Sequence, residues 1–200
     1  MHVPTFIKSA ANPLDFPNDT GREVAFVGRS NSGKSTAINT ILGIRKLARV
    51  SKTPGRTQLV NFFQIAPERR VVDLPGYGFA RVPPRVRDRW RGLLEAYFRE
   101  RRSLAGLMIT VDIRRGLTEL DETMLSWVAS LEIPVALLLS KADKLSRSAG
   151  LAQLQTIAQQ VDTAVRLVRF SAIDRTGVPE ARAWLDGWLE PSAPPSPVID

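Results

Sequence analysis

The sequence predicts an α/β protein with a mostly parallel β-sheet and helices on both faces. Short, continuously apolar segments alternate along the chain with segments of helical periodicity. Strands of a parallel sheet are apolar throughout because helices cover both of its faces. The chain has 200 residues, of which 44% are hydrophobic, and this is enough for one substantial core. We therefore expect ligands at the carboxyl ends of the strands, where such sheets bind them.

Six segments are predicted to be strands and five to be helices. The predicted strands are Glu23–Val27, Leu59–Ile65, Arg70–Leu74, Leu104–Val111, Val135–Leu139 and Val165–Phe170. The predicted helices are Thr36–Leu42, Pro84–Arg101, Leu120–Leu131, Ser148–Val161 and Pro179–Leu189. Because the connection through Pro67–Arg69 is short, the second and third strands should pair antiparallel. Trp90, Tyr97 and Phe98 fall on the apolar stripe of the second helix and are predicted to be core residues.

This pattern suggests one domain with loose ends. We expect an N-terminal extension over residues 1–22, the folded domain over 23–190 and a disordered tail over 191–200, where four of ten residues are Pro. No apolar run approaches the ~18 residues of a membrane span, and the N-terminus lacks the apolar core of a secretory signal. The sequence thus predicts a cytoplasmic protein, and we expect a monomer.

Composition excludes several kinds of chemistry. The chain has no Cys, which rules out disulfides, zinc ribbons and thiol catalysis. The one His is His2, so a Ser-His-Asp triad and an HExxH metalloprotease site are excluded as well. Any catalysis must use hydroxyls, carboxylates, Lys, Arg, backbone amides and an oxygen-bound cation.

Positive charge is concentrated in two segments. The net charge is +8, and Arg45–Arg56 contains five basic residues and no acidic one. Arg81–Arg102 contains eight Arg against three acidic residues. Such clusters favour a polyanionic partner, although a solvated helix face with a charged loop is the alternative.

The segment GRSNSGKS fits the phosphate-loop pattern GxxxxGK[ST] and lies between a predicted strand and a predicted helix. In loops of this pattern, backbone N–H groups and the N-terminus of the following helix bind phosphates. Lys34 should reach the β- and γ-phosphates, and the Ser35 hydroxyl should bind Mg²⁺. A chance glycine-rich turn is the alternative. The candidate nucleotide-binding residues of this segment are Gly28, Arg29, Ser30, Asn31, Ser32, Gly33, Lys34, Ser35 and Thr36.

A second segment, DLPG, stands at the end of the third predicted strand. Asp73 can hold Mg²⁺ through a water molecule, and the N–H of Gly76 can meet the γ-phosphate. Alone, DLPG is an ordinary strand-to-turn sequence. The candidate residues here are Asp73, Leu74, Pro75 and Gly76.

Two further segments are suited to a guanine base. Asp143 can accept hydrogen bonds from guanine N1–H and the 2-amino group, a donor pair that adenine lacks. The aliphatic part of Lys141 can lie along the base, and backbone amides of Phe170–Ala172 can meet O6. These candidates are Ser140, Lys141, Ala142, Asp143, Phe170, Ser171 and Ala172. In combination, the four segments predict a guanine-nucleotide site; a P-loop kinase is a weaker alternative because Asp143 selects guanine.

These segments resemble the TRAFAC-class GTPases and, within them, the EngB (YihA/YsxC) family of bacterial ribosome-assembly GTPases. The resemblance covers roughly Phe6 to Leu189, with Ser140 at a position where the family usually has Thr. The segments that carry it are EVAFVGRSNSGKST, SKTPGRTQ, DLPGYGFA, SKADK and FSA. It implies a Ras-like P-loop GTPase fold with six strands, the one at Leu59–Ile65 running antiparallel. It also implies Mg²⁺-dependent GTP binding and hydrolysis, a role in large ribosomal subunit assembly, and a link to cell division and septation.

The resemblance also implies a nucleotide-dependent switch. Thr57 would join Ser35 on Mg²⁺ in the GTP state, and loss of the γ-phosphate would release the loop. The candidate residues of this segment are Gly55, Arg56, Thr57, Gln58 and Leu59. Both basic clusters would then adjoin switch segments, which favours ribosomal RNA of a large-subunit precursor as the partner.

For hydrolysis the sequence leaves several alternatives. Tyr77 stands where many GTPases have a Gln that orients the attacking water, so we expect slow intrinsic GTP hydrolysis. Lys34 and Thr57 are the candidate catalytic residues. For Asn31 two roles stay open: it helps to hold K⁺ near the phosphates, or it only shapes the loop. Arg56 can act as an arginine finger in cis or belong to the RNA-binding surface, and the ribosome can supply a group in trans. A different function also stays open: a nucleotide-dependent scaffold at the division site that acts through protein contacts.

Overall fold

A computed structural model describes residues 3–45, 47–48, 59–78 and 84–190, with the backbone alone described for residues 84–90. The strands within these ranges are β1 (Thr5–Ala10), β2 (Arg22–Gly28), β3 (Val60–Ala66), β4 (Arg69–Asp73), β5 (Leu104–Asp112), β6 (Val135–Ser140) and β7 (Arg166–Arg169). The α-helices are α1 (Lys34–Leu42), α2 (Pro84–Glu100), α3 (Glu119–Val128), α4 (Arg147–Ala158) and α5 (Val178–Leu189). Short 3₁₀ turns at Pro13–Asp15, Ala129–Leu131 and Ala142–Lys144 complete the described elements.

The strands form one sheet in the order β1-β3-β4-β2-β5-β6-β7. From β4 to β7 neighbouring strands are parallel, whereas β3 pairs antiparallel with β4 and β1 pairs antiparallel with β3. The predicted antiparallel pair is therefore confirmed, and Glu68 turns it in the left-handed region at φ 56°. The predicted mixed α/β sheet is confirmed as well.

The prediction of six strands was wrong by one. The additional strand, β1, is an edge strand whose residues are exposed at Thr5, Phe6, Ile7 and Ser9. An edge strand that is covered on neither face lacks the continuous apolar composition by which buried strands are identified. Residues 1–22 therefore contribute a strand to the sheet.

The core has two parts, one on each face of the sheet. Successive residues of β2 alternate between them: Ala25 and Val27 belong to one part, Val24 and Phe26 to the other. The first part includes buried residues of α2, α3 and α4, and the second includes those of α1 and α5. Tyr97 and Phe98 are core residues, as predicted, while the side chain of Trp90 lies outside the described residues. Helices thus cover both faces of the sheet.

At the amino end of β2, the buried carboxylate of Glu23 contacts side chains from neighbouring elements. Glu23 is fully buried; Arg101 Nη2 lies 2.7 Å from Glu23 Oε1, and Arg70 Nε lies 2.7 Å from the same oxygen. The Tyr97 hydroxyl donates to Glu23 Oε2 at 3.1 Å. Burial raises the pKa of Tyr97, and the neighbouring Glu23 charge raises it further. Arg101 also donates to the carbonyl of Pro17, which fastens the segment between β1 and β2.

This network removes Arg101 from the basic surface. The sequence counted it among the eight Arg of the second charged segment, but only 5% of its side chain is exposed. A guanidinium can be buried at this point because Glu23 compensates its charge.

No helix within the described ranges is both long and apolar enough to cross a membrane.

We expect Glu23→Gln to destabilise the protein by roughly 3–5 kcal/mol, because two guanidinium groups lose their buried counter-charge. Chemical denaturation followed by circular dichroism measures this free energy of unfolding. The matched control is Glu95→Gln, which breaks an exposed pair with Arg91 one turn apart on α2. That change should cost less than about 0.5 kcal/mol. Equal effects of the two substitutions would contradict the role of Glu23.

Candidate nucleotide-binding site

The predicted phosphate loop connects β2 to α1 and lies beside the segment that follows β4. The Leu74 N–H donates to the carbonyl of Phe26 at 2.9 Å. The Tyr77 N–H donates to Gly28 O, and the Ser30 N–H donates to Tyr77 O, each at 3.2 Å. The structure therefore brings the GRSNSGKS and DLPG segments together at the carboxyl edge of the sheet.

The loop is packed tightly against β5 and β6. A Cβ atom at Gly28 would lie 2.1 Å from Thr110 Oγ1 and 2.6 Å from Ser32 Oγ, so only glycine fits. The Ser32 and Thr110 hydroxyls are hydrogen-bonded at 2.6 Å, and the Ser140 hydroxyl donates to the carbonyl of Ser32. Ser140 thus supports the loop through its hydroxyl, the group that a Thr at this position would also provide.

The loop ends in a helix N-terminus that has no side-chain cap. Gly33 is the N-cap at φ 97°, and a glycine has no side chain that could accept a hydrogen bond from the first turn of α1. The first N–H groups of a helix have no partner within it and attract anions. The backbone of Lys34, Ser35 and Thr36 therefore offers donors of the kind that a phosphate group requires.

Lys34 and Asp73 converge beside this helix end. The Lys34 ammonium contacts the Asp73 carboxylate directly, and both side chains are largely buried. Ser35 lies in the same first turn of α1. In the part of the chain that the structure describes, no group of three or more His, Cys, Asp or Glu side chains could enclose a metal. A cation here would depend on one carboxylate, a hydroxyl, water and phosphate oxygens, which fits Mg²⁺.

The predicted base-binding segments meet at the ends of β6 and β7. The Ser171 hydroxyl donates to Asp143 Oδ1 at 2.9 Å, and the Ala142 N–H donates to the carbonyl of Phe170 at 3.1 Å. Ser171 is fully buried, and the Asp143 side chain is 14% exposed. The Asp143 carboxylate is thus held in a fixed orientation at the strand ends, with Ala172 directly after Ser171.

Lys141 links this region to the phosphate loop. Its backbone is left-handed at φ 60°, and its ammonium donates to the carbonyl of Asn31 at 2.7 Å. Asn31 is itself left-handed at φ 64°. The two predicted halves of the site are therefore connected by a direct hydrogen bond.

Sequence reasoning missed two acidic residues at this edge. Asp112 ends β5 and receives hydrogen bonds from Lys141 and Arg114. Arg114 holds the pKa of the Asp112 carboxyl well below its usual range, with help from Lys141. Asp121 lies at the start of α3 and is buried. A sequence signal existed for Asp112, because it directly follows a continuously apolar segment whose carboxyl end must lie beside that of β6.

Asp121 determines the environment of Tyr77. The Tyr77 hydroxyl donates to Asp121 Oδ1 at 2.6 Å, and 3% of the residue is exposed. Burial raises the pKa of Tyr77, and the Asp121 charge raises it further. Asp121 Oδ2 in turn accepts from the Thr118 hydroxyl at 2.7 Å. The side chain that follows Gly76 is therefore a buried structural group with its hydroxyl engaged.

Several predicted residues lie outside the described ranges. These are Gly55, Arg56, Thr57 and Gln58; Leu59 is described and is exposed just before β3. Of the five basic residues of the first cluster, the structure describes Arg45, which is exposed. In the second cluster Arg91, Arg99 and Arg102 are exposed.

Comparison with known proteins points to one family. Residues 23–141 match the family model of the 50S ribosome-binding GTPases. The probable GTP-binding protein EngB of Coxiella burnetii is 47% identical over 187 residues, which cover 92% of this chain and 91% of that protein. The probable GTP-binding protein EngB of Pasteurella multocida is 46% identical over 193 residues, covering 95% and 94% of the two chains.

Solved structures show the same fold. The crystal structure of a probable GTP-binding protein EngB superposes with a TM-score of 0.68 at 22% identity, covering 84% of this chain and 98% of that one. A structure of Era in complex with MgGDPNP and part of 16S ribosomal RNA superposes with a TM-score of 0.67, also at 22% identity. That match covers 89% of this chain and 60% of Era. At this identity the likeness concerns the fold alone.

We expect Gly28→Ala to destabilise the protein by about 1–3 kcal/mol, because the added methyl group has no room beside Thr110. The displaced loop should also bind GDP at least about tenfold more weakly, a loss of some 1.4 kcal/mol. Thermal unfolding and calorimetric titration measure the two effects.

The matched control is Gly187→Ala on α5, where an added Cβ would meet no described atom within 4 Å. Replacing glycine in an exposed helix should raise stability by up to about 1 kcal/mol and leave GDP affinity unchanged. Wild-type affinity in Gly28→Ala would contradict the packing assigned to the loop.

Proposed function

The chain belongs to the EngB family of GTP-binding proteins, and from this premise we propose that it is a Mg²⁺-dependent GTPase switch in large ribosomal subunit assembly. One observation carries the proposal. The phosphate loop is joined to the segment that follows Asp73 by the Tyr77–Gly28 and Ser30–Tyr77 backbone hydrogen bonds. It is joined to the segment of Asp143 by the Lys141–Asn31 and Ser140–Ser32 hydrogen bonds, so all three meet at one edge of the sheet. Groups suited to phosphate, a divalent cation and guanine are therefore close enough to hold a single ligand.

At the phosphate end, we assign the loop N–H groups and Lys34 to the β- and γ-phosphates. Ser35, Thr57 and, through water, Asp73 would hold Mg²⁺, which when bound neutralises charge on the phosphate oxygens. The uncapped N-terminus of α1 and the convergence of Lys34 with Asp73 support this assignment. Lys34 would then exchange its contact with Asp73 for one with phosphate.

At the base end, we assign guanine selection to Asp143. Its carboxylate would accept the N1–H and 2-amino hydrogens of guanine, and the hydrogen bond from the Ser171 hydroxyl to Oδ1, which restricts its orientation, supports this assignment. Backbone amides of Ser171 and Ala172 would meet O6, and the Lys141 side chain would cover one face of the base.

For hydrolysis, the position of Tyr77 supports slow intrinsic turnover. Tyrosine has no side-chain amide that could orient a water molecule as Gln does, and the Tyr77 hydroxyl is already engaged in a hydrogen bond to Asp121. Asn31 with K⁺, Arg56 in cis and a ribosomal group in trans stay as alternative candidates for charge stabilisation, beside the alternatives that Asn31 only shapes the loop and that Arg56 belongs to the RNA-binding surface. A comparison of turnover in K⁺ and Na⁺ addresses the first of these.

The ribosomal partner is proposed from charge and family. The described basic residues Arg45, Arg91, Arg99 and Arg102 are exposed, and they flank the segments that would respond to the γ-phosphate. A surface of this kind binds RNA phosphates with strong salt dependence. The name of the matching family model, which refers to the 50S subunit, supports the large subunit as the partner. A requirement in cell division and septation would follow from this role in ribosome supply.

We expect Asp143→Asn to weaken GTP binding and to strengthen binding of xanthosine triphosphate. The amide donates a hydrogen bond where the carboxylate accepted one, and xanthine offers an acceptor at that place. Competitive titration with both nucleotides measures the preference. Asp162→Asn, an exposed substitution before β7, is the matched control and should change neither affinity. Unchanged GTP affinity in Asp143→Asn would overturn the assignment of the base.

We expect the protein to co-sediment with large ribosomal subunits more strongly with a non-hydrolysable GTP analogue than with GDP. Binding should weaken with salt, with a log–log slope of roughly −0.7 to −0.9 per neutralised phosphate. Small subunits serve as the control. Nucleotide-dependent association that does not respond to salt would instead favour the scaffold that acts through protein contacts.

A further inference from the structure

We propose that Asp112 is a positioning residue for guanine-nucleotide binding, which holds the Lys141 ammonium against the carbonyl of Asn31. Through this contact Asp112 would determine both the position of the Lys141 side chain beside the base and the backbone conformation of the phosphate loop at Asn31. The inference rests on the nucleotide-binding part of the proposed function and is independent of the ribosomal partner.

The contacts around Lys141 form a chain across three segments. Its ammonium donates to Asp112 Oδ2 at 2.8 Å and to the carbonyl of Asn31 at 2.7 Å. Asp112 lies at the end of β5, directly beside Ser140 in the parallel register of β5 and β6. The Asp112 carboxylate is therefore supplied by the sheet, whereas the Asn31 carbonyl belongs to the loop. Lys141 connects the two.

An unsupported lysine would not keep this geometry. Its four-carbon side chain is 32% exposed, and ordering such a long side chain costs conformational entropy. The Asp112 side chain is only 9% exposed, so its attraction for the ammonium is less screened than at the surface. The carboxylate thus restricts the ammonium to one position.

Arg114 fixes Asp112 from the other side. Its Nε donates to Asp112 Oδ1 at 2.9 Å and its Nη2 to Oδ2 at 2.6 Å, a two-point contact that sets the plane of the carboxylate. The backbone N–H of Arg114 also donates to Oδ1 at 3.2 Å. Both carboxylate oxygens are therefore occupied by donors, and Oδ2 is shared with Lys141.

The loop residue at the end of this chain needs such support. Asn31 adopts φ 64°, a left-handed conformation that is disfavoured for residues with a side chain, although less for Asn than for most. The Lys141 ammonium holds its carbonyl in the orientation that this conformation produces. Asp112, Lys141 and Asn31 also line the same cavity of about 110 Å³ beside the loop.

The substitution Asp112→Asn tests the charge without changing the size of the side chain. An amide has one accepting oxygen and one donating NH₂ group. In either orientation the NH₂ group would face an N–H donor of Arg114, and in one orientation it would also face the Lys141 ammonium. Because the negative charge is lost in both orientations, the substitution should weaken the hold on Lys141 while preserving the packing at the end of β5.

The experiment is a double-mutant cycle measured by calorimetric titration of GDP and GTP with Mg²⁺. Asp112→Asn should lower the affinity for both nucleotides by about tenfold, the effect of losing one charge-assisted contact. Lys141→Ala should lower it at least as much, and the affinity of the double variant should match that of Lys141→Ala alone. Asp186→Asn, which removes the same charge from an exposed pair with Arg182 on α5, is the matched control and should bind like the wild type.

Additive losses in the double variant would overturn the proposal, because Asp112 would then act independently of Lys141. Wild-type affinity in Asp112→Asn would overturn it as well. If Asp112→Asn fails to fold, Asp112→Glu enters the same cycle, and its loss of affinity should likewise disappear in the Lys141→Ala background. A wild-type protein that binds neither GDP nor GTP would instead refute the nucleotide site itself.

Discussion

The candidate site depends on one constraint, the close packing of Gly28 and the following loop against β5 and β6. At Gly28 the backbone lies so near Thr110 that no side chain fits. The polar groups enclosed by this contact then need partners, and the hydroxyls of Ser32, Thr110 and Ser140 supply them to one another and to the loop. The loop is therefore held in a shape that a phosphate can occupy, so that little ordering remains to be done on binding.

The two ends of β2 serve different purposes. At the amino end, Glu23 is fully compensated by Arg70 and Arg101, so that buried charge stabilises one arrangement of sheet and N-terminal segment. At the carboxyl end, the pair of Lys34 with Asp73 is composed of groups that a nucleotide would separate. The Glu23 network is therefore structural, whereas the Lys34–Asp73 pair lies at the edge of the sheet where the proposed ligand would bind.

The sequence predicted most accurately the elements that are buried on both faces. β5 and β6 consist of buried residues throughout, so their composition alone identified them. β1 was missed because an exposed edge strand has no such signature. Arg101 was counted as surface charge for a related reason: its counter-ion Glu23 is 78 residues distant in the chain. Asp112 was overlooked because it belongs to none of the motifs and meets Lys141 only when β5 lies beside β6.

The sequence by itself determined the chemical groups and their order along the chain: a loop of the GxxxxGK[ST] pattern after the first buried strand, a carboxylate at the end of the next parallel strand, and later Asp143, the carboxylate proposed to select guanine. Residue type and local spacing suffice for that, because each segment is short and its flanking strand and helix are local structures. Only the tertiary structure decided which groups meet. Lys141 reaches Asn31 across 110 residues, and Tyr77 reaches Asp121 across 44, because the order of strands in the sheet makes neighbours of distant segments. That order is set by packing of the whole core, which no local pattern records.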